Sequence, residues 1–141
     1  MAYEITKQHV WAGAIPDKPG ALAEMLRLLG AAGLDLELIL TRREMPGRAL
    51  LFISPLRSLE EIIAAEEAGL SQENSLPTIR ITGPNVSGLG ARITGTLSEA
   101  GVSMQGYSAA ALGDQSVTNV AFDTEEDADR AIAALEKALE A

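Results

Sequence analysis

The chain has 141 residues, of which 47% are hydrophobic, and it contains no cysteine. This composition predicts a folded core and excludes disulfides, thiolate metal sites and disorder. Twenty acidic residues against 11 basic ones give a formal net charge of -9, which argues against nucleic acid as a partner because phosphate binding depends on lysine and arginine. We see neither a signal peptide nor an apolar stretch long enough to span a membrane, and we therefore expect a cytoplasmic protein that does not bind membranes.

An internal duplication organises the sequence. A shift of 68 positions superimposes prolines, glycines and small residues at places where the backbone geometry is demanding. The matched pairs are Pro16 with Pro84, Asp17 with Asn85, Gly20 with Gly88, Ala23 with Ala91, Leu29 with Leu97, and Ala32-Gly33 with Ala100-Gly101. These positions suit a proline turn, the entry to a helix and a glycine just after its end, so we divide the chain into units 1–75 and 76–141.

The first unit has the predicted order βαββα. Its apolar periodicity and turn residues predict strands over 9–15, 34–43 and 48–54 and helices over 20–32 and 58–68. The first helix presents an apolar face made of Leu22, Met25, Leu26 and Leu29. Ser58 with Glu61 forms a capping box for the second helix, and Gly69 ends it.

The second unit repeats this order. We predict strands over 78–82, 102–111 and 116–122, a helix over 88–100 and a final helix that begins after Thr124. Thr124 is the expected cap of the final helix, and the acidic residues 125–127 suit the positive helix start. Ile132, Leu135 and Leu139 should face the core.

The order of elements, the segment I-P-D-K-P-G-A-L over 15–22 and A-G-L-D over 32–35 resemble the ACT domain family. The second unit is also similar to the regulatory tail of aspartate kinases at residues 90–93 and 97–102 and in its acidic last helix. This resemblance implies an α+β fold of two tandem ferredoxin-like βαββα(β) units, with antiparallel sheets and helices on one face. It also implies that units pair side by side and hold an amino acid, such as serine, threonine, lysine or phenylalanine, in the seam between partners.

The turn before the first helix of each unit is the candidate ligand site. A glycine turn that leads into a helix presents backbone amides beside a positive dipole end, which suits a carboxylate. In the first unit the site residues are Asp17, which could receive an ammonium group, Lys18, Pro19, and the amides of Gly20, Ala21 and Leu22. In the second unit they are Asn85, Val86, Ser87, Gly88 and Leu89, and the resemblance adds Asp35 and Ser103 at the heads of the second strands.

The two turns differ in chemistry, although they occupy equivalent positions. The second turn lacks the charges of Asp17 and Lys18 and offers an amide and a hydroxyl instead. We therefore expect the first unit to bind its ligand more tightly than the second.

No catalytic residue is assigned. The sequence shows neither a nucleophile with its base nor paired acids, and we expect no metal and no cofactor. His9, the one histidine, is interpreted as a strand-surface residue, and Trp11 as a packing residue that could alternatively line a binding seam. Arg42, Arg43 and Arg48 could gather an anion or could be solvated hairpin charges.

Taken together, these features favour a non-catalytic regulatory or sensor protein that binds a small amino acid at an interface between ACT units. We expect a homodimer and a regulated protein partner. The alternative is a structural or interaction module whose ligand sites have decayed, which the altered turn at 85–88 would favour. A small enzyme with a metabolite site in the same seam is the third hypothesis.

The final strand of each unit is missing from the predicted order. Residues 70–75 are polar and offer little to bury, whereas Tyr3, Ile5 and Thr6 are β-forming residues ahead of the first strand. We expect the N-terminal segment to extend the first strand and to pair with the sheet of the second unit, which would make one interlocked domain. Otherwise, exposed strand edges should drive dimerisation.

Overall fold

The computed structural model describes residues 2–140, and of residues 72–75 only the backbone. Its elements are β1 (Glu4–Pro16), α1 (Ala21–Ala31), β2 (Leu38–Met45), β3 (Arg48–Ser54), α2 (Leu59–Glu67), β4 (Ser71–Pro84), α3 (Leu89–Glu99), β5 (Gly106–Leu112), β6 (Gln115–Ala121) and α4 (Glu125–Leu139). The six strands follow the hydrogen-bonded order β2-β3-β1-β4-β6-β5. The α+β class and the duplicated βαββα order are confirmed.

Two compact units divide the chain, one of residues 9–75 and one that combines residues 2–8 with 76–140. The long strands β1 and β4 each contribute a segment to both units. The division expected from the sequence placed residues 1–75 in the first unit. In the structure, residues 2–8 belong instead to the second unit.

The N-terminal segment does extend the first strand, which begins at Glu4 and not at residue 9. Tyr3 is buried in the core of the second unit, and its hydroxyl donates to the carbonyl of Pro84 at 2.9 Å. Lys7 lies 2.7 Å from carboxylate oxygens of both Glu125 and Asp129. The prediction that this segment joins the second unit is confirmed.

The first unit forms its core between β1, β3 and the two helices. Strand β3 pairs antiparallel with β1 and β2, and Leu51 and Ile53 of β3 are fully buried. Leu29 of α1 is buried, and the other three residues of its predicted apolar face pack against the same core. Trp11 is 6% exposed within this core, which confirms the packing interpretation, and His9 is exposed on β1.

Strand β2 begins four residues later than expected. The segment before it is held by contacts that local sequence does not reveal: the Arg57 guanidinium donates to the carbonyl of Asp35 at 3.0 Å, and the amide of Glu37 donates to the carbonyl of Ser54 at 2.9 Å. The same correction applies to β5, which begins at Gly106 and not at 102, with the amide of Gln105 bonded to the carbonyl of Ala121.

Strand β4 begins at Ser71, ahead of the predicted start at residue 78 and within the stretch 70–75 that was expected to be polar and to offer little to bury. The expectation that this stretch offers little to bury is wrong for Leu70, which is 3% exposed and lies in the core of the first unit. The final strand of the first unit is thus the beginning of β4, and that of the second unit is the beginning of β1.

The second unit packs α3 and α4 against β4 and β6. Phe122, Ile79 and Ile93 are fully buried in its core, together with Leu135 of α4. Leu139 is buried and Ile132 packs against the core, as predicted. Among residues 2–140, no helix combines the length and low polarity needed to cross a bilayer.

Both predicted caps are present. The hydroxyl of Ser58 accepts from the amide of Glu61 at 3.1 Å, and that of Thr124 accepts from the amide of Asp127 at 3.1 Å. The Glu61 carboxylate accepts hydrogen bonds from the hydroxyl of Ser58 and from the amide of Arg57. In a capping box it would accept instead from the amide of Ser58. Each cap fixes the entry to the second helix of its unit.

Candidate ligand site at the turn before each unit's first helix

The turn that leads into α1 is fixed by three backbone hydrogen bonds. The amide of Asp17 donates to the carbonyl of Gly47 at 3.0 Å, and the amide of Ala21 donates to that of Lys18 at 3.3 Å. The amide of Glu24 reaches the carbonyl of Gly20 at 3.0 Å and begins the helix. The turn is therefore tied both to the hairpin between β2 and β3 and to the helix start.

The turn that leads into α3 repeats these bonds. The amide of Asn85 donates to the carbonyl of Asp114 at 2.8 Å, and the amide of Leu89 donates to that of Val86 at 3.2 Å. The amide of Arg92 donates to the carbonyl of Gly88 at 3.0 Å. The duplication seen in sequence thus preserves the backbone of both turns, although three of their four residues differ.

Glycine is required at the helix entry of both turns. Gly20 and Gly88 stand at the N-cap with φ of 88° and 85°, in the left-handed region, and neither helix has a side-chain cap. Residues with a side chain are strained in this conformation. The amide of Ala21 was expected to be free for a ligand, but it is used within the turn, as is that of Leu89.

In the first unit the turn is occupied by an internal ion pair. The guanidinium of Arg43, on β2, hydrogen-bonds to the carboxylate of Asp17. Asp17 was expected to receive the ammonium group of a ligand, and its carboxylate instead has a partner within the chain. Arg48 lies 3.4 Å from Glu44, and the Arg42 guanidinium lies 5.9 Å from the centroid of the Phe52 ring.

In the second unit the turn borders an open cleft of about 210 Å³. No lysine, arginine, aspartate or glutamate lines it. Helix α3 contributes Gly90, where an added Cβ would lie 3.6 Å from the Tyr107 hydroxyl. The lining residues are Asn85, Leu89, Gly90, Tyr107, Ala109, Ala110, Ala111, Ser116 and Thr118.

Strand register explains why the two turns differ. Ala111 pairs with Ser116 on the edge strand β5, and Arg43 pairs with Ala49 at the equivalent place on β2. An alanine therefore stands in the second unit where the first has the arginine that reaches the turn. The alanines 109–111 of β5 have side chains too short to fill the cleft.

The structure brings together only part of the predicted site. Asn85 and Leu89 line the cleft, whereas Val86, Ser87 and Gly88 belong to the same turn without lining it. Lys18, Pro19 and Gly20 are exposed in the first turn, and Leu22 packs against the core of the first unit. Asp35 and Ser103 are exposed ahead of β2 and β5, and Ser103 does not line the cleft.

Several lining residues were missed from the sequence. Tyr107, Ser116 and Thr118 come from β5 and β6, whose inward positions are set by register. One signal was available: the aligned repeats place Gly90 opposite Leu22 and the alanines 109–111 opposite larger side chains. A loss of side-chain volume at matched positions of a duplication indicates a space that one copy leaves open.

In the described residues, no group of three or more His, Asp or Glu could hold a metal ion. The pKa of Glu24, in the first turn of α1, lies below its ordinary value because Arg27 donates hydrogen bonds to it and attracts its charge. Both side chains are exposed, and they belong to the helix surface beyond the turn.

No protein-family model matches the chain, and no curated protein matches it in sequence. Several solved structures, however, are similar to this chain. A protein from Bacteroides thetaiotaomicron is similar with a TM-score of 0.78 and 18% identity, over 94% of this chain and 89% of that one. The ligand-free regulatory subunit of aspartate kinase from Thermus thermophilus has a TM-score of 0.67 and 18% identity, over 98% and 97%. The corresponding subunit from Thermus flavus has a TM-score of 0.62 and 17% identity, over 99% and 97%.

These likenesses extend over nearly the whole chain, and they show its fold. The chain has the tandem ACT-type fold found in regulatory subunits of aspartate kinase, as its sequence predicted. Two of these three structures are regulatory subunits of aspartate kinase.

Proposed function

We propose that this chain is a non-catalytic regulatory or sensor protein that binds a small amino acid. The observation that carries the proposal is the open, uncharged cleft beside the start of α3. The fold shared with aspartate kinase regulatory subunits supports a regulatory role. We assign it to the cytoplasm, where its occupied state would be read by a regulated protein partner.

The second unit supplies the principal site in this proposal, in place of the first. The carboxylate of a ligand would lie toward the start of α3, where backbone amides and the helix dipole favour negative charge. In the part of the chain that the structure describes, the side-chain amide of Asn85 and the hydroxyl of Tyr107 make no protein hydrogen bond, so both remain able to bind a ligand.

The size and lining of the cleft restrict the ligand. A volume of about 210 Å³ is many times the roughly 10–15 Å³ that a single water needs by this measure, and it leaves room for a small amino acid. An uncharged lining provides no partner for a charged side chain, and burying one unpaired would be unfavourable. A small, neutral side chain is the best match.

A second copy of the chain completes the site in this proposal. Strand β5 stands at one end of the strand order, and Leu112 on it is 87% exposed. At the other end, Ile39 and Met45 of β2 are 47% and 50% exposed. Unpaired strand edges with apolar side chains favour association, and a homodimer through them would cover the open side of the cleft.

A binding experiment with one substitution tests the proposed site. Amino acids would be screened by thermal shift and the hits titrated by calorimetry, since a ligand at 100 times its Kd stabilises the fold by about 2.7 kcal/mol. Gly90→Leu introduces the residue of the first unit at the cleft, and we expect it to abolish binding. Gly95→Leu is the matched control, because Gly95 lies on the same helix with nothing within 4 Å of an added Cβ.

Binding that survives Gly90→Leu would remove the cleft from the proposal, and a panel in which no amino acid shifts the melting temperature would remove the ligand. That second result would favour the alternative, an interaction module with decayed ligand sites. The Asp17–Arg43 ion pair is the observation that supports this alternative, since it occupies the turn of the first unit.

A further inference from the structure

Helix α2 exposes an apolar pair between carboxylates. Leu59 is 70% exposed and Ile63 is 45% exposed. Residues four apart lie on the same face of a helix, one turn from each other. At 100° per residue, Glu66 falls on one side of this pair and Glu60 and Glu67 fall on the other, and all three are exposed. We call these five residues the α2 face.

The second unit shows that the fold does not require apolar residues there. When the two helix caps Ser58 and Thr124 are superimposed, Leu59 matches Glu125 and Ile63 matches Asp129. Those two acids of α4 hold the ammonium group of Lys7 at 2.7 Å each. The same helix position is thus an occupied contact in one unit and an exposed apolar surface in the other.

Charge decides what can cover the α2 face. The chain has no basic residue between Arg57 and Arg80, and α2 carries four glutamates. Nucleic acid and anionic lipid surfaces would be repelled by these carboxylates. A second copy that docked through the same face would bring like charges together, in a chain of net charge -9.

We propose that the α2 face docks a protein segment whose apolar residues are flanked by lysine or arginine, such as a basic amphipathic helix. Leu59 and Ile63 supply the desolvated centre of the contact, and the glutamates on both sides bind the flanking cations. The α2 face shares no residue with the cleft, and the proposal does not depend on the ligand.

The test uses the full chain and a synthetic amphipathic helical peptide of leucine and lysine, with a leucine–glutamate peptide as its control. We expect the lysine peptide to bind and to perturb the amide resonances of α2, while the glutamate peptide does not bind. Leu59→Glu with Ile63→Asp, which copies the second unit, should weaken binding by about tenfold or more. Both changes add negative charge and would strengthen a purely electrostatic attraction, so a loss can only come from the apolar pair.

A companion variant tests the glutamates of the α2 face. Glu60→Gln with Glu67→Gln should also weaken binding and reduce its salt dependence, because the exposed carboxylates supply the electrostatic part. Circular dichroism establishes that each variant is folded. Undiminished affinity in the Leu59→Glu and Ile63→Asp variant, perturbation centred on α4, or binding to anionic vesicles in preference to the peptide would overturn the proposal.

Discussion

The turns at 17–20 and 85–88 have the same backbone hydrogen bonds, but different side chains surround them. Both place a left-handed glycine at a helix start and both anchor to the hairpin beside them. At the first turn the side chain of Arg43 bonds to Asp17, and the second turn borders an open cleft lined in part by alanines. The difference teaches that a duplicated motif retains its backbone geometry, while the side chains of the neighbouring edge strand give its two copies different surroundings.

This comparison reverses the expectation that the first unit binds more tightly. The charges of Asp17 and Lys18 suggested a stronger site, but the Asp17 carboxylate already bonds to Arg43. A ligand would have to displace that ion pair, whereas the uncharged second cleft needs no such displacement. The order of affinities remains a prediction, and we now expect the second unit to bind first.

The largest expected effect tests whether matched core residues of the two units contribute equally to stability. Leu29 and Leu97 are matched residues, each 1% exposed. Leu29→Ala and Leu97→Ala should each lower the free energy of unfolding by about 2–5 kcal/mol, through lost apolar contact and the cavity that remains. Urea unfolding monitored by circular dichroism measures both. Costs that differ by more than about 2 kcal/mol would mean that the two cores do not pack alike.

A smaller effect concerns the hydroxyl of Ser54, which has no counterpart at the matched position of the second unit. Ser54 is fully buried and its hydroxyl has no hydrogen-bond partner in the described residues, and the matched residue of the second unit is Ala121. Ser54→Ala should therefore raise the free energy of unfolding by about 1 kcal/mol.

The control for that change is Thr78, which is 2% exposed and donates to the carbonyl of Leu76 at 2.9 Å. Thr78→Val should lower stability by about 1 kcal/mol, because its hydroxyl does have a partner. The same sign for both substitutions, in thermal or chemical unfolding, would contradict the assignment of Ser54 as unsatisfied.

The smallest effect concerns two surface ion pairs whose contributions to stability depend on pH in opposite directions. The pKa of Lys7 is raised, first by its hydrogen bond to Asp129 and then by that to Glu125, so its contribution to stability is present at neutral pH and is lost as the pH rises through the raised pKa. The pKa of Glu24 is lowered by Arg27, so its contribution is lost as the pH falls through the lowered pKa.

Melting temperatures of Lys7→Met and Glu24→Gln across a pH series check this prediction. The difference between Lys7→Met and wild type should vanish at alkaline pH, and that for Glu24→Gln should vanish in acid. Both differences should be small, because these side chains are exposed and screened by solvent. A Lys7→Met difference that persisted at high pH would contradict the prediction, since it would mean that Lys7 stabilises the fold through contacts other than its charge.

Local signals in the sequence predicted most of the fold. The bounds of β3 are those expected, and the helix caps at Ser58 and Thr124 are present, because caps and short apolar runs depend on neighbouring residues. The starts of β2 and β5 were wrong, since distant partners such as Arg57 hold the preceding segments. The start of β4 was wrong because residues 71–75 contain no apolar residue from which a periodic strand pattern could be recognised.

The candidate site was predictable in its backbone and not in its side chains. The glycines at 20 and 88 identified both turns, since few other residues adopt their conformation. Register determined that Arg43 faces one turn and Ala111 the other, and a bulge between Arg43 and Met45 shifts that register within the hairpin. Such a shift has no signature in a single sequence.

The central claim is that Arg43 closes the first turn and that Ala111 leaves the second one open. Calorimetric titration of a small neutral amino acid that binds the wild-type chain tests it most directly, with Ala111→Arg as the variant and Arg43→Ala as its counterpart. We expect Ala111→Arg to abolish binding at the second unit and Arg43→Ala to leave that binding intact. Unchanged affinity in Ala111→Arg would contradict the claim.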